Sequence, residues 1–302
     1  MPEASRQWSL MTRISPWTWI VGWNRMVNKY KSSLIWVRGA GELGSAVALT
    51  LFRVGFQVIL TERAVPLAIR RAVTFSDAVF EGESAVEEVI AVRCEASKTG
   101  EIIALGKIPL IVTEFAPTLS EKIHAVVDAR MIKDASVSKP HDVPWQIGLG
   151  PGFEVGRNCD AVIETQRGHD LGRVLWQGEA AANSGIPGEI GGISVQRVVY
   201  SPVPGQILWA VNFGDLVVTG QVLGTLNDSV QVRSPISGIV RGLISPRVIF
   251  GANVKIADVD PRGEAVAYNR ISEKSRNVAR GVLEALLILQ KTIQSREKKL
   301  SP

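Results

Sequence analysis

LIWVRGAGELGSAVALTLFRVGFQVILTER, residues 34–63, is the stretch that decides the fold. Its first residues, Leu34 to Val37, are apolar and read as a buried strand. Leu43, Val47, Leu51 and Val54 then recur at helical spacing, Gly55 ends the helix, and Gln57 to Leu60 reads as the next strand. A strand, turn, helix and strand of this length form a parallel crossover unit. Between strand and helix lie Gly39, Gly41 and Gly44, a GxGxxG. Gly39 permits the tight turn, Gly41 lets backbone approach a pyrophosphate, and Gly44 lets the helix sit close to the strand. The helix start offers unpaired N–H groups and partial positive charge to phosphate. Glu62, 18 residues beyond Gly44, ends the second strand, where it could accept hydrogen bonds from a ribose diol. The competing reading is a compact glycine turn in a fold without its ligand. Glu42 puts a carboxylate beside the anion site, and Arg38 stands where an apolar residue is usual.

Outward from this unit, Ser84 to Val89 reads as a short helix, and Ile108–Val112 and Ala125–Val127 read as buried strands. Residues 34–138 therefore form a Rossmann-like parallel-sheet domain of the α/β class. Arg70 and Arg71 in PLAIRR read as solvated helix-surface residues, with phosphate contact as the rival. A Gly-rich mixed α/β segment follows over 139–200, with strand-like islands at Trp145–Ile147 and Ala161–Glu164. Over 201–264 the texture is all β. SPVPGQILWAV from Ser201 and SPISGIVRGLI from Ser234 repeat one plan about 33 residues apart. That suggests a small barrel-sandwich of two similar halves, the plan of biotinyl and lipoyl carrier domains. A helix capped by Ser272 closes the chain over 265–302.

Two further clusters invite a ligand. Gly148, Gly150 and Gly152 in GLGPGF could form an anion nest or a plain interdomain turn. ETQRGHDLGR brings Arg167, His169, Asp170 and Arg173 into one loop after Glu164. Its guanidiniums and imidazole suit phosphate or carboxylate. The alternative is that both arginines pair internally with Glu164 and Asp170. No residue is assigned a catalytic role, and no metal site is expected: Cys94 and Cys159 stand far apart, and His124, His141 and His169 lack metal-site spacing.

Composition bounds the rest. Of 302 residues, 46% are hydrophobic and 21% charged, so bulk disorder is excluded. A net charge of +5, without basic blocks, points away from nucleic acid. Residues 1–33 differ: Trp8, Trp17, Trp19 and Trp23 precede Arg25. This stretch is too short for a membrane span and lacks a signal-peptide plan. We expect an extension upstream of a true start at Met26, with a Trp-rich interfacial anchor as the rival. A cytoplasmic protein without membrane contact is expected.

Five segments occur together and in order: RGAGELGSAVA, PLAIRR, GLGPGF, DAVIETQRGHDLGRVLWQGEAAANSGIPGEIGG and KIADVDPRGE. In these the chain resembles the accessory proteins of selenium-dependent molybdenum hydroxylases, over residues 33–290. The resemblance implies a maturation factor that helps install or modify the molybdenum cofactor of a xanthine dehydrogenase-like partner. It departs from the family pattern at Thr113 and through DARMIKDAS around Asp128. On this reading Gly39, Gly41, Glu42, Gly44 and Glu62 hold the phosphate and ribose of a nucleotide-bearing ligand such as the molybdopterin dinucleotide. Arg167 and His169 face its distal end, Gly148, Gly150 and Gly152 of the glycine-rich middle also bind it, and the protein is expected to form a homo-oligomer. The alternative is an NAD(P)-dependent oxidoreductase with His169 as its one inviting acid–base group. A swinging-arm carrier is the third reading, but the turn LNDSVQV, 226–232, has no lysine to carry the arm.

Overall fold

A computed structural model of the chain describes residues 33–132, 143–183, 185 and 189–300. The Trp-rich stretch, His141 and most of the segment after Met131 lie outside the described residues. Strand β1 (Leu34–Arg38) leads through the glycine turn into α1 (Glu42–Arg53) and β2 (Gln57–Glu62). Next come α2 (Ala78–Glu81), β3 (Glu83–Val86), β4 (Val89–Arg93), α3 (Thr99–Ala104), β5 (Ile108–Val112) and β6 (Ile123–Asp128). Three further strands follow: β7 (Gln146–Leu149), β8 (Ala161–Ile163) and β9 (Val174–Leu175). These nine strands form one sheet in the order β3-β4-β5-β2-β1-β6-β7-β8-β9. Every pairing from β4 to β8 is parallel; the edge strands β3 and β9 run antiparallel to their neighbours. The sheet thus continues across residue 138, where the sequence suggests a change of domain.

The reason β1 and β2 lie at the centre is their composition. Each is apolar through its length, as a strand covered on both faces must be. Ile35, Val37, Val58 and Leu60 pack with α1 through Val47 and Leu51, while Leu34, Trp36 and Ile59 pack on the other face with Val126. Where Ser84–Val89 reads as helix, the structure has the β3–β4 hairpin instead. Val86 pairs with Val89 around a two-residue turn, and Glu87 adopts a left-handed φ of 53°. The turn is held from outside: Arg53 Nη2 donates to Glu87 and Glu88 at 2.6 Å, and Arg276 pairs with Glu87. Those tertiary ion pairs, together with the cross-strand pairing of Val and Ala residues, override local helical propensity.

The C-terminal third contains β10 (Val198–Tyr200), β11 (Ile207–Trp209), β12 (Leu216–Val217), β13 (Val222–Leu226), β14 (Val230–Arg233), β15 (Gly238–Leu243) and β16 (Lys255–Asp260). They form two antiparallel sheets, β10-β16-β15-β12 and β11-β13-β14. Their apolar faces share one core, in which Ile207, Leu223 and Val232 meet Val240, Ile256 and Val259. Ile69, from the loop after β2, also belongs to that core, and its carbonyl accepts the Leu243 N–H at 2.8 Å. The closing helix α4 (Glu273–Leu300) returns to the first sheet and buries Val278, Val282, Ala285 and Leu286 against it. Ser272 caps it as expected, its Oγ 3.3 Å from the Ser275 N–H. Among the described residues, no helix is long and apolar enough to cross a membrane.

Candidate functional site

The glycine turn is built by backbone geometry. Gly39 takes φ +95° against the backbone of Ala129 and Arg130, a conformation that favours glycine. At Gly44 a Cβ would fall 1.9 Å from the Gly39 carbonyl oxygen, so this glycine closes helix onto turn. Gly41 differs: a Cβ there would meet nothing within 4 Å. The turn is then anchored from behind. Ser45 Oγ donates to the Ala40 carbonyl at 2.8 Å and accepts the Phe75 N–H at 2.8 Å. Among the described residues no side chain caps α1, so its first-turn N–H groups keep their capacity for an external acceptor.

In front of the turn lies a cavity of about 570 Å³, lined by Gly39, Gly41, Glu62, Arg63, Arg70 and Lys255 among others. Glu62 stands at the expected place, the end of β2. Its Oε2 accepts the Ala40 N–H at 2.8 Å and its Oε1 the Arg63 N–H at 2.9 Å. A carboxylate has about four acceptor positions, so these bonds orient it and leave room for a hydroxyl donor. Arg38 does not line this cavity. It lies over the Trp36 ring at 5.1 Å and pairs with the buried Asp128 at 3.1 Å, which Arg130 also holds. Those partners, not a ligand, account for a guanidinium in an apolar strand.

A second cavity of about 730 Å³ shares Glu42, Leu43, Arg70, Met131 and Lys255 with the first. It reaches the start of α4 at Ser272 and Ser275, the strand residues Arg241 and Asp258, and Arg197 in the turn just before β10. Here the structure corrects the reading of Arg70 and Arg71 as solvated helix-surface residues. The segment before Arg71 is loop, tied down through Ile69, and Arg70 is only 7% exposed. Its Nη1 is 3.5 Å from Glu42 Oε1, and its Nε has no hydrogen-bond partner among the described residues. Arg71 is half-buried and bonded to Asp77.

Glu42, which the sequence sets awkwardly beside an anion site, turns away to these groups. Its Oε1 accepts the Ser272 and Ser275 hydroxyls at 2.9 and 3.2 Å. Burial pushes its carboxyl up, but Arg70, Ser272, Arg241 and Ser275 outweigh burial and hold it below the usual range. Asp258 follows the same balance: burial raises it, and Arg241, Lys255 and Arg197 bring it down further. Arg241 bonds Asp258 through Nε and Nη2, at 2.9 and 2.6 Å, and Asp260 through Nη1 at 3.0 Å; Arg197 pairs with Asp258 from the other side. Lys255 is depressed, chiefly by burial, against the pull of Asp258.

The remaining candidates fall into two groups. Arg167 lines the second cavity and pairs with Glu273, not with Glu164. Glu164 accepts the N–H groups of Thr165, Gln166 and Ala181 instead, and Arg173 pairs with Asp170 as one reading had it. His169 is exposed and lines neither cavity. Gly148 and Gly150 face Phe153 and Thr165 so closely that a Cβ would lie 2.1 and 2.4 Å from them. Of that turn Pro151 borders the second cavity. Lys255, Arg197, Arg241 and Asp258 escaped sequence reading. The available signal was a set of charges in or directly beside otherwise apolar strands, RVVY, GIVRGL and KIADVD.

No family model matches the chain, and no solved structure matches it. Over 258 residues, 85% of its length, it is 40% identical to the uncharacterized protein YqeB of Escherichia coli (strain K12), and it spans about half of that relative, 48%.

Proposed function

We propose that the protein is an accessory factor of selenium-dependent molybdenum hydroxylases that holds a nucleotide-bearing ligand, of the class of the molybdopterin dinucleotide, in the cavity before α1. The carrying observation is that cavity: about 570 Å³ between an uncapped helix start and the Glu62 carboxylate at the next strand tip. The fit is supported by Gly41, whose missing side chain leaves open space where a diphosphate would approach, and by the partnerless Nε of Arg70 at the cavity wall. Gly39, Gly41 and the first turn of α1 would take the diphosphate. Glu62, held in place by Ala40 and Arg63, would take the ribose. Thr113 and Glu114 line the outer wall. The parallel sheet around this cavity is then a Rossmann-like unit, and the two antiparallel sheets, with a lysine-free turn at 226–229, are a biotinyl-like scaffold used for docking, not for carrying. The molybdenum hydroxylase as partner, a cytoplasmic setting and a homo-oligomeric state are inferred from the motif resemblance. The ligand brings the chemistry; the protein binds, orients and shields it.

Isothermal titration with a nucleoside diphosphate, and separately with NADH and NADPH, compares the parent with Gly41→Asp. The new carboxylate enters the cavity without steric cost and should lower nucleotide affinity by about tenfold or more. Equal affinity in both proteins removes the assigned pocket, and binding restricted to NADH or NADPH turns the reading toward a dehydrogenase. Native mass spectrometry of protein purified beside its hydroxylase identifies the ligand it retains.

A further inference from the structure

The two cavities meet at a pair of cations, Arg70 and Lys255, to which the nucleotide reading assigns neither the diphosphate nor the ribose. Arg70 is more than nine-tenths buried and lines both cavities. Its nearest carboxylate, Glu42, is 3.5 Å away, in ion contact but without a hydrogen bond, because Glu42 is taken up by Ser272 and Ser275. Among the described residues the Nε of Arg70 has no acceptor. A buried guanidinium with unused donors is costly unless something supplies the acceptors. Lys255 lines both cavities too, and among the described residues no carboxylate lies within ion-pair distance of its amine.

The surroundings point the same way. Asp258, the carboxylate that acts most on Lys255, is already committed to Arg197 and Arg241, and Asp260 to Arg241 and Arg262. Six basic and four acidic residues line the second cavity, and Glu164 among the acidic ones is enclosed by three backbone N–H groups. The first turns of two helices border it, α1 through Glu42 and Leu43 and α4 through Ser272, Lys274 and Ser275. Each contributes positive potential.

We propose that Arg70 and Lys255 form a binding site for a compact tetrahedral oxyanion, chemically a phosphate, at the junction of the two cavities. The planar guanidinium presents its fork to two oxygens, and the lysine supplies a point charge to a third. Two sources carry that chemistry: a free oxyanion bound as a co-ligand, or a terminal phosphate of the ligand in the first cavity. The inference goes beyond the nucleotide reading and stands without it.

The test uses the full chain and inorganic phosphate, followed by isothermal titration and 31P line broadening. The parent should bind phosphate saturably. Arg70→Gln and Lys255→Met, each checked for an unchanged circular dichroism spectrum, should weaken it by about tenfold or more. Inorganic phosphate and a nucleoside diphosphate are titrated separately into the parent, so a failed nucleotide pocket and a failed oxyanion site give different results. Competition between a nucleoside diphosphate and phosphate supports the site with the ligand's own phosphate as occupant; simultaneous binding supports it with a separate oxyanion. Absence of saturable binding to the parent overturns the proposal. So does undiminished binding in a folded Lys255→Met, which keeps the test decisive even if Arg70→Gln fails to fold.

Discussion

At the residue scale, the glycines of the turn separate by what stands opposite each. Gly44→Ala should destabilise the protein by about 1–3 kcal/mol, although alanine is the better helix former, because its methyl collides with the Gly39 carbonyl 1.9 Å away. Gly41→Ala, at φ −71° with open space around it, should leave the urea midpoint unchanged. Lys255 gives a prediction of opposite sign. Its pKa in the folded protein lies below the ordinary lysine value, chiefly through burial. Between the two values the unfolded chain binds a proton that the folded chain has released, so folding stability rises with pH there. Below that window the charged amine is a standing cost. Lys255→Met should therefore raise stability at neutral pH by about 1 kcal/mol and flatten the alkaline rise, as measured by urea unfolding across pH. A partly buried cation that lines two cavities is the pattern expected of a ligand contact.

At the element scale, α4 is positioned by a close backbone approach. Gly281 lies so near the Gly172 carbonyl that a Cβ would be 2.2 Å from it, beside Ile163 of β8. Gly281→Ala gains helix propensity of up to about 1 kcal/mol and loses more to the clash. The net effect should be a lower thermal midpoint, readable by far-UV circular dichroism. Because α4 starts at Ser272 and Ser275, which hold Glu42, a shift of this helix also moves the wall of the second cavity. The same variant should then weaken phosphate binding without touching a binding residue. The β3–β4 hairpin shows the converse dependence: its left-handed Glu87 is held by arginines from α1 and α4.

On the scale of the whole molecule, the site exists because the parallel sheet and the antiparallel sheets meet. Ile69 anchors the loop after β2 in the second core, and this brings Arg70 to Lys255 of β16. Ligand bound at that junction touches both cores. Phosphate at about 100 times its dissociation constant should add ~2.7 kcal/mol and raise the thermal midpoint by several degrees. The shift should appear alike by fluorescence of Trp36, in the first sheet, and Trp209, in the second unit, in single-tryptophan variants.

What the sequence determined by itself was local. Apolar runs, helical spacing and glycines place β1 over 34–38, α1 over 42–53 and β2 over 57–62, within two residues of the expected bounds. Period and turn chemistry act between near neighbours, so they are written in order along the chain. The Gly44 contact and the position of Glu62 follow from the same short span. Tertiary structure alone decided the charged junction. In β15 the register shifts between Val240 and Gly242, leaving Arg241 on a bulge from which it reaches both Asp258 and Asp260. In β16 a second shift opposite Val199 and Tyr200 breaks the alternation between Lys255 and Asp258, so both face one cavity. A bulge reverses which side a strand residue faces, and it depends on the partner strand. No reading of one strand's own pattern can place the side chains beyond it, and Arg70, Glu42 and Lys255, far apart in the chain, become neighbours only when three elements pack together.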